Sequence, residues 1–133
     1  MLKIVLDTNV IISAALSPAG TCAKIINMIA YNDEIQPFYK ADILSEYEEV
    51  LSREHLNIAV KTQTDIIDTI KSVGIEIEPT ASDILLPDET DRIFYDTARA
   101  AEAILITGNK KHYPDENFIM APAEFLQILD MSE

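Results

Sequence analysis

A carboxylate, a hydroxyl and an amide, Asp7, Thr8 and Asn9, follow directly on the apolar run Ile4-Val5-Leu6. If that run is a strand of a parallel sheet, Asp7 stands at its carboxyl end, where open α/β folds build their sites. Three further residues could meet it there: Glu46 within a segment rich in apolar residues, Asp91 at the opening of a helix-like stretch, and Asn109 in the turn after a later apolar run. Such a set of hard oxygen donors suits Mg2+ or Mn2+, and divalent ions would relieve the mutual repulsion of the acids. Three carboxylates with two divalent ions leave a net positive centre, which could hold a phosphodiester. Other chemistries lack their parts. His55 and His112 have no spacing that argues for a metal or base role, Cys22 is the only cysteine, and no Gly-rich phosphate loop occurs.

Each candidate also has a plainer reading. Asp7 could simply end a strand, with Asn9 capping a helix. Asp91 could be a first-turn acid favoured by the helix dipole, and Asp88 is the competing ligand beside it. Asp96 is expected to pair with Arg92 or Arg99. Asn109 is as readily a turn residue as a ligand, and Lys110, Lys111 and His112 form either a solvated loop or a nucleic-acid contact.

The elements that must position these residues alternate between strand and helix, the pattern of βαβ units around a parallel sheet. Strands are expected over residues 2–6, 35–39, 75–77, 103–107 and 118–120. Helices are expected from near 9 to the Ser17-Pro18-Ala19-Gly20 stop, then over 21–30 with Thr21 as cap, 41–52, a short one over 54–60, and 64–72, 91–102 and 123–129. Gly74 fits a helix C-cap. No repeat, linker or second boundary interrupts 1–133, which reads as a single domain of α/β class.

With 133 residues and 48% hydrophobic content the chain has enough apolar material for a core. A formal net charge of −13 opposes loose nucleic-acid binding, so either a partner is basic or cations intervene. No apolar run approaches the roughly 20 residues of a bilayer span, and the N-terminal stretch lacks the features of a secretory signal, which points to the cytoplasm.

Taken together, Asp7-Thr8-Asn9, Glu46 in Leu44-Ser45-Glu46-Tyr47-Glu48-Glu49-Val50-Leu51, Asp91, and Thr107-Gly108-Asn109-Lys110-Lys111-His112-Tyr113-Pro114 resemble the PIN-domain family, in order and spacing over nearly the whole chain. The chain is most similar to the branch of toxin components of toxin–antitoxin systems, the VapC-like ribonucleases. The resemblance implies a three-layer α/β/α sandwich around a mostly parallel sheet of about four to five strands. It also implies a Mg2+- or Mn2+-dependent ribonuclease, often a homodimer, inhibited by a cognate antitoxin. Asp7, Glu46 and Asp91 match the family's acidic metal-binding residues. Asn109 stands where many members carry Asp, which replaces a charged ligand by a neutral one. Thr107 matches a Thr or Ser at the site's edge, and Thr8 and Asn9 match its polar support. Two-metal hydrolysis leaving a 5′-phosphate and a 3′-hydroxyl is the expected mechanism, with Lys110 and Lys111 against RNA phosphates. Two other classes stand beside it. One is a degenerate member that only docks a partner; the other is a phosphatase of the haloacid dehalogenase type, which would need a second Asp where this chain has Asn9.

Overall fold

Residues 1–131 are described by the computed structural model. Its elements are β1 (Leu2–Leu6), α1 (Thr8–Leu16), α2 (Thr21–Tyr31), β2 (Ile35–Tyr39), α3 (Ala41–Leu51), α4 (Val60–Val73), β3 (Ile75–Glu76), α5 (Arg92–Ala101), β4 (Ile104–Ile106), β5 (Ile119–Met120) and α6 (Pro122–Met131). Ile4, Val5 and Leu6 are all buried, as a central strand covered on both faces requires. The five strands lie in the order β3-β2-β1-β4-β5, and all four pairings are parallel. This is the expected α/β sandwich, with helices α1 to α4 packed on one another and α5 laid across β1, β2 and β4.

The strand order matters for function. From β1 the chain builds outward through β2 to β3, then returns to the other side of β1 to add β4 and β5. The reversal lies between β1 and β4, and the crevice outside the carboxyl ends of those strands is where ligands bind in such folds. Asp7 follows β1 and Thr107 follows β4. Leu6 pairs with Ile106, and the Asp7 N–H donates to the Ile106 carbonyl at 3.0 Å, which brings residues 100 apart in sequence to one edge.

Several boundaries differ from expectation. The helix expected over 54–60 is only a 3-10 turn, Glu54–Leu56, ended by Asn57 in the left-handed region with φ 53°. Helix α4 therefore starts earlier, at Val60, where the Ala59 carbonyl accepts from the Gln63 N–H at 3.1 Å. Thr21 is the first residue of α2 rather than its cap, a place taken by Gly20. Gly74 does end α4, but with φ −82° its backbone is one any residue adopts. Glycine is needed there for space: a Cβ would lie 2.4 Å from the Ile70 carbonyl oxygen and 2.9 Å from the Tyr39 ring. Among the described residues no single helix is long and apolar enough to cross a membrane.

Candidate active site

Five polar side chains are buried among the described residues, Asp7, Thr8, Asp96, Thr97 and Thr107, and three of them stand at the β1/β4 edge. Buried polar groups need partners or a role, which makes this edge the candidate site. Asp7 caps α1, and its Oδ1 accepts from the Thr8 N–H at 2.7 Å. Its Oδ2 accepts from Thr107 Oγ1 at 2.9 Å, Tyr113 OH at 2.9 Å and Asn9 Nδ2 at 3.3 Å. The Asn9 amide ties the edge together, since it also donates to Thr107 Oγ1 at 3.3 Å while its oxygen accepts from the Gly108 N–H at 2.8 Å.

Glu46 reaches the cluster from α3. The Thr8 hydroxyl donates to Glu46 Oε2, so Thr8 touches Asp7 through its backbone and Glu46 through its side chain. The depth of α3 is set by the next residue: Tyr47 is buried and donates its hydroxyl to the Leu6 carbonyl at the end of β1. Burial pushes the Tyr47 phenol up, and the charges of Asp7 and Glu46 push in the same direction, so it stays a neutral donor.

Asp91 closes the cluster from the start of α5. Its side chain is only 16% exposed, and Oδ2 is buried without a hydrogen-bond partner. Burial pushes its pKa up from 3.8 to about 6, and the negative charges of Asp7 and Asp88 add to the rise. His112 Nδ1 lies 3.7 Å from that Oδ2, too far for a hydrogen bond but close enough for its charge to favour the carboxylate. Asp88, the competing ligand, is an exposed cap whose Oδ1 accepts from the Thr90 N–H at 3.0 Å and the Thr90 hydroxyl at 2.8 Å; these bonds hold its carboxyl below the ordinary value. Asp91 is thus the acid of that pair turned to the cluster.

The remaining candidates fall in different places. Asn109 meets the site through its backbone N–H, which donates to Thr107 Oγ1 at 3.0 Å; its carbonyl accepts from the His112 N–H. Lys110 Nζ pairs with Glu124 Oε1 of α6 at 3.1 Å, whereas Lys111 is exposed beside it. Asp96 does not form the expected ion pair. It is buried and accepts from the Ser82 N–H at 3.0 Å, while Arg92 grips Glu89 at 2.7 Å and the Ser82 and Ile84 carbonyls. Sequence reasoning gave no role to Tyr113 or Tyr47 and set His112 aside as a metal or base residue. For the tyrosines a signal existed, because a tyrosine at a buried position must find a partner for its hydroxyl.

A hard divalent cation fits these residues in kind: every carboxylate donor is oxygen, and the buried Asp91 Oδ2 has no hydrogen-bond partner. As they stand, no three acidic, His or Cys side chains among the described residues are gathered tightly enough to grip an ion. Like charges hold bare carboxylates apart, and a cation reverses that force.

A parallel α/β sheet with an acidic, cation-fitting edge at its switch point is the class that this fold and site define. The chain belongs to the PIN domain family, which it matches over residues 3–111. An uncharacterized protein of Methanocaldococcus jannaschii is 31% identical over 112 residues, 82% of this chain and 72% of that protein. In three dimensions the chain is similar to a solved structure of VapBC2 from Rickettsia felis bound to a DNA fragment from their promoter. The TM-score is 0.57 at 19% identity, over 90% of this chain and 97% of the matched one. That likeness is one of fold.

Proposed function

We propose that the chain is a divalent-metal-dependent endoribonuclease and the toxin of a toxin–antitoxin pair. The observation that carries this reading is that, in a PIN domain, Thr8 links Asp7 to Glu46 and Asp91 lies near enough to feel the charge of both, with one buried oxygen of Asp91 left without a hydrogen bond. Asp7, Glu46 and Asp91 would hold the ions. Bound there, Mg2+ or Mn2+ supplies Lewis-acid activation of water and charge neutralisation at the leaving 3′-oxygen, in the manner of two-metal hydrolases. The chain's own residues do the rest. Thr8 fixes the Glu46 carboxylate, Thr107 and Asn9 fix Asp7, and the turn carrying Asn109, Lys110 and Lys111 flanks the path of an RNA backbone. Asn109 offers a neutral amide, suited to orienting water rather than holding charge.

The rest of the proposal rests on charge and resemblance. With 23 acids against 10 bases, the surface favours a partner with a basic segment, as an antitoxin would present. A homodimer and a cytoplasmic site of action complete the reading. Asn109 favours one second reading, a docking module that has lost catalysis; such a module would bind a partner but cut nothing.

The test is cleavage of a mixed single-stranded RNA pool with Mg2+ or Mn2+, comparing the native chain with Asp7→Asn. Metal-dependent cutting that falls by about a thousandfold in the variant is the expected result. No cutting at any metal concentration gives the docking module the field. Expression that leaves growth unchanged, with no small protein co-purifying from the native host, removes the toxin role even where nuclease activity survives.

A further inference from the structure

We propose that Tyr113 and Thr107 together set metal selectivity: by filling one oxygen of Asp7 they confine that carboxylate to one-oxygen coordination and so favour Mg2+ and Mn2+ over Ca2+. This rests on the metal-dependent reading above and names a device within it. The argument is one of lone pairs. An ionised carboxylate offers about four acceptor positions, two on each oxygen. Asp7 Oδ2 receives Tyr113 OH at 2.9 Å, Thr107 Oγ1 at 2.9 Å and Asn9 Nδ2 at 3.3 Å, so its capacity is spent on protein donors. Asp7 Oδ1 receives only the Thr8 N–H at 2.7 Å and keeps a position open. A cation would therefore find Asp7 open at Oδ1 alone.

The consequence depends on the cation. Mg2+ demands near-octahedral geometry and takes carboxylates one oxygen at a time, and Mn2+ follows similar oxygen chemistry. Ca2+ accepts six to eight oxygens and readily takes both from one carboxylate. Blocking Oδ2 withdraws that option. Tyr113 suits the task because its ring is buried in the core while its backbone is held by a hydrogen bond from its N–H to the Lys110 carbonyl at 3.0 Å, so the hydroxyl is fixed rather than free to swing aside.

Tyr113→Phe deletes the hydroxyl and keeps the ring. The experiment is calorimetric titration of the native chain and the variant with Mg2+, Mn2+ and Ca2+, beside their melting curves. Because three donors share the two positions of Oδ2, the deciding variant combines Tyr113→Phe with Thr107→Val, and its melting curve reports that it folds. The expected result is a Ca2+ to Mn2+ affinity ratio that moves about tenfold toward Ca2+ in the double variant, which leaves one donor for two positions, and less in Tyr113→Phe alone. An unchanged ratio with binding retained overturns the proposal and leaves the nuclease reading standing, and so does an equal loss for all three ions, which is the mark of orientation alone. A native chain that binds no divalent ion overturns both.

Discussion

Four protein donors converge on the carboxylate of Asp7 at the β1/β4 edge, whereas at the start of α5 the carboxylate of Asp91 keeps a buried oxygen with no donor at all. The first is assembled by side chains the fold has already fixed, and its charge is satisfied before any ligand arrives. The second is part-buried beside other acids, with the His112 ring 3.7 Å from it, and its burial carries a cost. One edge thus contains a rigid half that defines position and a frustrated half with an unmet demand. Buried polar networks behave this way: fully satisfied they stiffen a fold, partly satisfied they store a demand.

The contrast breaks most plainly if equivalent substitutions act alike. Asp7→Asn destabilises the metal-free chain by about 1–3 kcal/mol, because whichever way the amide turns, its NH2 faces an N–H or O–H donor. Asp91→Asn does the opposite and raises stability at pH 7 by roughly 1–3 kcal/mol while abolishing activity. The sign follows from the raised pKa. Between 3.8 and about 6 the folded chain holds a proton that the unfolded chain has released, so the native protein loses stability as pH rises through that window. The gain from Asp91→Asn is therefore full above about 6 and vanishes below 3.8, as urea melts across pH will register. A smaller effect sharpens the account of Glu46: Thr8→Val, which keeps the shape and removes the hydroxyl, lowers metal-dependent turnover about 10- to 100-fold with little change in melting temperature. The smallest effect separates the two lysines. Lys111→Gln reduces the salt dependence of RNA binding by about one counterion, and Lys110→Gln by less, because Lys110 already faces Glu124.

How much of this could be read in advance depended on sequence distance. The strand at 2–6 and the strand at 35–39 stood out as apolar runs bounded by polar turns, and the placing of Asp7 and Thr107 at strand ends followed from the parallel α/β pattern alone. Two-residue strands such as β3 have too little pattern to mark their ends. The hydroxyl of Tyr113 finds Asp7 across 106 residues and that of Tyr47 finds Leu6 across 41, and no periodicity encodes such partners. Asp96 misled for a related reason. Arginines at i−4 and i+3 are the usual company of a surface acid, but α5 turns this face inward, where the Ser82 backbone takes their place.

The separation of 100 residues between Asp7 and Thr107 also bears on how the protein is born. The central strand is made before β4, one of its two neighbours, so the ladder that creates the crevice closes only after the long stretch between them exists. Contacts so distant along a chain form late and slowly, because loop closure must precede them. A ribosome translating this message carries a growing chain with Asp7 in place and Thr107 and Tyr113 still unmade. Strand order acts as a timer: the edge exists only once Thr107 and Tyr113 have been added to a chain that has long carried Asp7.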